Sequence, residues 1–79
     1  MNLTTQLANK LLVINKVNSP NKLVLHKLNN IGIMKGNKIV VLDYYKSKTL
    51  IHLLVYGVEY VLRKADCAYI DVSEVNDGT

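Results

Sequence analysis

Apolar and polar positions change their period several times along this chain, and each change marks an element. Lys10-Leu-Leu-Val-Ile-Asn-Lys-Val17 is rich in aliphatic and β-branched residues and predicts a strand. Ser19-Pro20 follows as a helix-start signal, because serine can cap a helix and proline suits its first position. From Asn21 to Ile31 the period becomes helical: Val24, Leu28 and Ile31 fall at i, i+4 and i+7 on one face. Leu23 and Leu25 lie about 100° to either side of that stripe, and His26 points nearly opposite it. Gly32 is the predicted stop, since the position after a helix often takes left-handed geometry. Gly36 then suits a turn into the apolar run Ile39-Val-Val-Leu42, within a strand over 38–45. A polar turn at Lys46-Ser47-Lys48 leads to a strand over 49–56, a tight hairpin at Tyr56-Gly57, and a strand over 58–62. Residues 63–68 predict one helical turn, Tyr69-Ile-Asp-Val72 a last strand, and residues 73–79 a frayed tail.

The order is strand, helix, three meandering strands, a helical turn and a final strand. So small a set closes most readily as a barrel, which removes exposed edges. The expected fold is mainly β: one SH3-like barrel domain over residues 1–79, with about five strands, one short α-helix and a helical turn before the last strand. The helix sits in the first long connection, where it would plug one end. The close pair Gly32 and Gly36 follows from this layout, because the chain must leave a helix and enter a buried strand within a few residues.

The 79 residues limit the core to that of a small domain. The longest apolar run, residues 53–58, is far below the ~20 residues needed to span a bilayer, and the N-terminus lacks the basic-then-apolar pattern of a signal peptide. The lone Cys67 can form neither an internal disulfide nor a cysteine-rich metal site, which fits a reducing, cytoplasmic setting. Net charge is +4, unevenly spread: residues 1–42 carry six lysines and no acid, whereas Asp66, Asp71, Glu74 and Asp77 follow Ala65 without a Lys or Arg. The basic half would suit an anionic partner such as RNA or a lipid surface. Net charge by itself argues first for a solvated, soluble surface.

Two groups of residues, taken together, resemble the FeoA domain. The first is Leu28-x3-Gly32-Ile33-x2-Gly36. The second is Tyr56-Gly57-x4-Leu62-Arg63-Lys64-x2-Cys67-x2-Ile70-x-Val72. Leu3-Thr4-Thr5-Gln6-Leu7 is similar to the short leucine-bearing opening of that family, so the resemblance covers residues 3–72. It makes Leu28, Gly32, Gly36, Gly57, Leu62 and Arg63 fold-specifying positions. The chain departs from the pattern in three places. Asn9 stands where a glycine precedes the first strand, His26-Lys27 replaces an arginine pair, and the loop at Tyr44–Lys48 is shorter and has no proline. The resemblance implies an SH3-like barrel and a role in bacterial ferrous iron uptake. The chain would be a small cytosolic accessory of the FeoB membrane permease, whose cytosolic part is a G-protein domain. It would reach the inner membrane only through that partner, with Fe(II) as the transported ion and no cofactor of its own. Related barrels form the C-terminal domain of metal-dependent repressors of the diphtheria toxin repressor type. A chain of this length has no room for their DNA-binding helices, so no DNA partner is expected.

Candidate chemistry is sparse. His26, His52 and Cys67 show no close metal-ligand spacing, and His52 alternates with Ile51 and Leu53, so it is expected to face outward. Cys67 is expected to be a core thiol, since the adjacent Asp66 disfavours a thiolate. No nucleophile–base pair and no Walker motif is present, so the chain is expected not to be an enzyme. Arg63 is expected to bond Asp66 or Glu59 and so hold the last helical turn. The partner-binding surface is assigned to the helix, at Leu23, Leu25, His26 and Lys27, where leucines beside a lysine give an apolar centre with a charged rim. Two alternatives are carried forward: a nucleic-acid-binding small barrel using Tyr44-Tyr45 and nearby lysines, and a direct Fe(II) chaperone using His26 or His52. Self-association, if any, is expected to be weak.

Overall fold

The computed structural model describes residues 1–45 and 47–75. Lys46 of the predicted polar turn and residues 76–79 of the predicted tail lie outside these. A 3-10 turn η1 (Leu3–Thr5) opens the chain. There follow β1 (Leu11–Val17), α1 (Lys22–Asn30), β2 (Lys38–Tyr45), β3 (Leu50–Val55), β4 (Val58–Arg63), a second 3-10 turn η2 (Lys64–Cys67) and β5 (Ile70–Glu74). All pairings are antiparallel, in the order β4-β3-β2-β1-β5.

Alternation decides which side of each strand is inside. Leu12 and Ile14 of β1, Ile39 and Val41 of β2, Ile51, Leu53 and Val55 of β3, and Ile70 and Val72 of β5 are buried in one core. Register shifts between Ile14 and Lys16 and between Val41 and Asp43 interrupt the alternation. Such irregularities bend a strand and let a single sheet curl around its own core. Leu62 from β4, Leu3 from η1, Leu28 from α1, Ile33 and Cys67 complete the buried set.

The structure corrects three expectations. First, the helix is capped by Asn21 rather than by Ser19-Pro20: the Asn21 side chain accepts from the Leu23 and Val24 backbone N–H groups at 3.0 and 3.3 Å. Ser19 instead accepts from the Asn21 N–H at 3.2 Å, holding the cap residue one step before the helix. Second, Ser73 and Glu74 belong to β5, opposite Val13 and Leu12, not to a frayed tail. Third, hydrogen bonding does not remove every edge. β4 and β5 are the two ends of the sheet, and the short turn η2 spans between them.

The two glycines make different bonds. Gly32, at φ +94°, follows the helix; its N–H donates to Asn29 C=O at 3.0 Å, while the Ile33 N–H donates to Leu28 C=O at 2.9 Å. This is the Schellman arrangement, with Leu28 and Ile33 brought together in the core. Gly36 continues the ladder beyond the last β1–β2 pair: its N–H donates to Ile14 C=O, and the Ile14 N–H donates to Asn37 C=O, both at 2.8 Å.

Candidate docking surface

Helix α1 buries one stripe and leaves another bare. Leu28 is fully buried, and Val24 and Ile31 pack half-buried against the core. Leu23, His26 and Lys27 lie at i, i+3 and i+4 and therefore share a face. All three are exposed, Leu23 at 82%. Leu25, assigned to the same surface from sequence, is half-buried. Two leucines equally offset from the stripe are thus treated unequally, the helix being rolled toward Leu25 and away from Leu23. The site residues that the structure brings together are Leu23, His26 and Lys27. Leu25 sits at their margin.

The turn η2 lies within electrostatic reach of Lys27. Arg63 donates from Nε to Asp66 Oδ2 at 3.2 Å and from Nη2 to Oδ1 at 3.3 Å, a two-point contact that joins the end of β4 to the turn. Cys67 is completely buried. Burial, and secondly the Asp66 charge, push its thiol from an ordinary value of 9.0 up to about 12, while Lys27 pulls slightly the other way. The thiol is therefore protonated at neutral pH and is not a nucleophile. Between these two values the unfolded chain gives up the thiol proton and the folded chain keeps it. Stability should thus be unaffected by this group below pH 9 and fall above it, by up to about 1.4 kcal/mol per pH unit. Denaturant titrations at pH 7 and pH 10 check this: Cys67→Ala should lose less stability between the two than the parent chain. Ellman's reagent at pH 8 should react with Cys67 only as fast as the chain unfolds.

Tyr44 and Tyr45 are both engaged within the fold. Tyr44 is half-buried and donates its hydroxyl to Gln6 C=O at 2.7 Å, and Lys64 Nζ lies 5.4 Å from its ring centroid. Burial raises the Tyr44 pKa. Its ring lines a cleft of about 380 Å³ with Thr4, Thr5, Gln6, Leu7, Ala8 and Lys48. Tyr45 stacks on His52 with centroids 5.7 Å apart, and its hydroxyl meets His52 Nδ1 at 2.9 Å. His52 Nε2 in turn meets Glu59 at 2.7 Å. Cross-strand pairing carries this chain of contacts, which linear spacing does not reveal: His52 lies opposite Asp43 on β2 and Val61 on β4. Neither ring of Tyr44-Tyr45 is thus a free stacking platform. Among the described residues no three of His, Cys, Asp and Glu converge as a metal-binding group. Among them, too, no helix is long and apolar enough to cross a membrane.

No family model matches the sequence, and no curated protein matches it either. The fold has close counterparts among solved structures. Iron(II) transport protein A from Clostridium thermocellum superimposes with TM-score 0.85 and 21% identity over 95% of this chain. This chain spans only 46% of that protein. FeoA of Stenotrophomonas maltophilia, solved with zinc and described as a prokaryotic SH3 domain protein, gives TM-score 0.80 and 17% identity over 92% of this chain and 89% of its own. A manganese-dependent transcriptional repressor gives TM-score 0.85 and 16% identity over 95% of this chain and 36% of its own. Five antiparallel strands, one helix and two 3-10 turns in this arrangement are therefore the SH3-like fold that this chain shares with FeoA proteins.

Proposed function

We propose that the chain is a non-enzymatic accessory protein of ferrous iron uptake that docks on the cytosolic G-protein region of an FeoB-like permease. The observation that carries this reading is the likeness to iron(II) transport protein A across 95% of the chain, reached independently of the glycine and Leu-Arg-Lys motifs that resemble FeoA. The docking face is the exposed side of α1, where Leu23 supplies apolar area and His26 and Lys27 a polar, basic rim. The chain supplies binding energy and no chemistry: its thiol is buried and protonated, and nucleotide turnover belongs to the partner. On this reading it works in the cytoplasm and reaches the inner membrane through the permease.

Ferrous iron uptake in cells tests this reading. Cells lacking the chain should take up labelled Fe(II) at a clearly altered rate, and the parent chain should restore it. Leu23→Ser should not restore it, although its surface position leaves the fold intact. Uptake that is the same with and without the chain would overturn the proposal. The two alternatives have distinct signatures. A nucleic-acid-binding barrel predicts RNA or DNA binding that falls steeply with salt, and an iron chaperone predicts stoichiometric Fe(II) binding lost in His26→Ala or His52→Ala.

A further inference from the structure

β4 is an end strand of the sheet, and its geometry specifies what fits its outer edge. The β3–β4 hairpin turns through Tyr56 and Gly57, both at positive φ (51° and 75°), with Val55 opposite Val58. A two-residue turn of this kind makes Val55–Val58 a hydrogen-bonded pair, and bonded and unbonded pairs then alternate. Val58, Tyr60 and Leu62 therefore turn their backbone groups to β3, while Glu59, Val61 and Arg63 turn theirs away. The ladder beyond the strand agrees with this parity, because the Lys64 N–H donates to Thr49 C=O at 2.9 Å. Among the described residues β4 pairs with β3 alone, and no backbone bond from another element reaches residues 59 or 61.

The same three residues carry side chains on the outer face of the sheet. Val61 is 53% exposed, and the Glu59 and Arg63 side chains are 64% and 72% exposed. Glu59, Val61 and Arg63 form a negative, apolar and positive series symmetric about Val61. We infer that the β4 edge is a self-complementary surface that pairs antiparallel with β4 of a second copy of this chain, on a two-fold axis at Val61. In that register Val61 faces the partner's Val61 and exchanges two backbone hydrogen bonds with it. Each Arg63 N–H donates to the partner's Glu59 C=O, giving two more. The Arg63 carbonyl is not counted, because as the cap residue of η2 it accepts the first bond of the turn.

The side chains follow the same register. Each Glu59 meets the partner's Arg63, and the contacts already present leave room for this. His52 engages only Oε1 of Glu59, and Asp66 engages Nε and Nη2 of Arg63, so Oε2 and Nη1 remain. A slip of one residue would place Glu59 opposite Leu62 and lose both ion pairs, so charge selects the register as well as the partner. No proline, no lysine and no bulge interrupts residues 58–63, and the two exposed charges of the strand are opposite in sign, so they match rather than repel a second copy. A contact of a few residues per copy is well below the ~800 Å² per partner of a standard interface, so the association is weak and reversible.

Sedimentation equilibrium of the full chain from about 10 μM to about 1 mM tests the inference, which does not depend on the iron-uptake reading. The expected result is a concentration-dependent monomer–dimer equilibrium at low salt. Arg63→Glu should weaken it about tenfold or more, and Glu59→Arg combined with Arg63→Glu should restore it. Because these residues also bond Asp66 and His52, Val61→Lys serves as a second variant. It leaves those pairs intact, sets two ammonium groups face to face, and should abolish the dimer while preserving the circular dichroism spectrum. A parent chain that stays monomeric at 1 mM would overturn the inference. So would a dimer indifferent to both Val61→Lys and charge reversal, or one that charge reversal weakens but the double swap does not restore.

Discussion

Replacing Leu28 with alanine is expected to cost about 2–5 kcal/mol, the range for truncating a fully buried leucine. The site has little freedom to collapse. Leu28 is the one fully buried residue of α1, and its carbonyl accepts from both Ile31 and Ile33 N–H groups at 3.3 and 2.9 Å. It therefore both fills the core and anchors the helix stop. A domain of this size holds on the order of 4–12 kcal/mol in total, so the loss is a large share. The melting temperature should fall by roughly 10–30 °C, measured by circular dichroism at 222 nm, with the variant still cooperative. Loss of less than about 1 kcal/mol would mean that the helix is not seated on the core through this residue.

Gly32→Ala is the second large effect, and its cause is backbone geometry rather than a cavity. At φ +94° a side chain is strained whatever the surrounding space, and the left-handed region costs a non-glycine residue roughly 1–2 kcal/mol. A Cβ there would also stand 3.0 Å from Tyr56 Cδ2 and 3.3 Å from Val55 Cγ1. Tyr56 can move only by giving up its hydroxyl bond to Asn37 Oδ1 at 2.7 Å, and Asn37 in turn donates to the Gly32 carbonyl at 2.7 Å. The substitution thus loosens a small network joining the helix stop, the turn before β2 and the β3–β4 hairpin. A cost of about 1–3 kcal/mol is expected by denaturant titration. Gly57→Ala, where a Cβ meets nothing within 4 Å, should show the backbone term alone and so cost less.

These two residues also show what the sequence made readable. Helical spacing put Leu28 inside, and the chain's need to leave a helix and turn into a buried strand singled out Gly32. Both are local signals that tertiary packing reinforces. The cap was less readable because Ser19 and Asn21 are both competent acceptors, and Pro20 favoured the wrong one. The end of β5 was obscured by chemistry. Ser73 is polar because it lies on the solvent side of the strand, where Asn15 Nδ2 donates to its hydroxyl at 2.6 Å, and such a polar strand end has the same sequence pattern as a fraying tail. The open edge of β4 could not be read locally at all, since it depends on which strands pair across the sheet. The exposed face of α1, the proposed docking surface, was half legible: the helix wheel set Leu23 and Leu25 apart from the stripe, but only the roll of α1 on the barrel decides which one reaches solvent.

That exposed face bears the central claim, and calorimetric titration of the cytosolic G-protein region of an FeoB-like permease with the full chain tests it most directly. Saturable binding is expected, and Leu23→Ser combined with Lys27→Glu should weaken it at least tenfold, about 1.4 kcal/mol, with the folded spectrum unchanged. No heat of binding at several hundred micromolar (roughly −5 kcal/mol or weaker), or equal binding by parent and variant, would contradict the account.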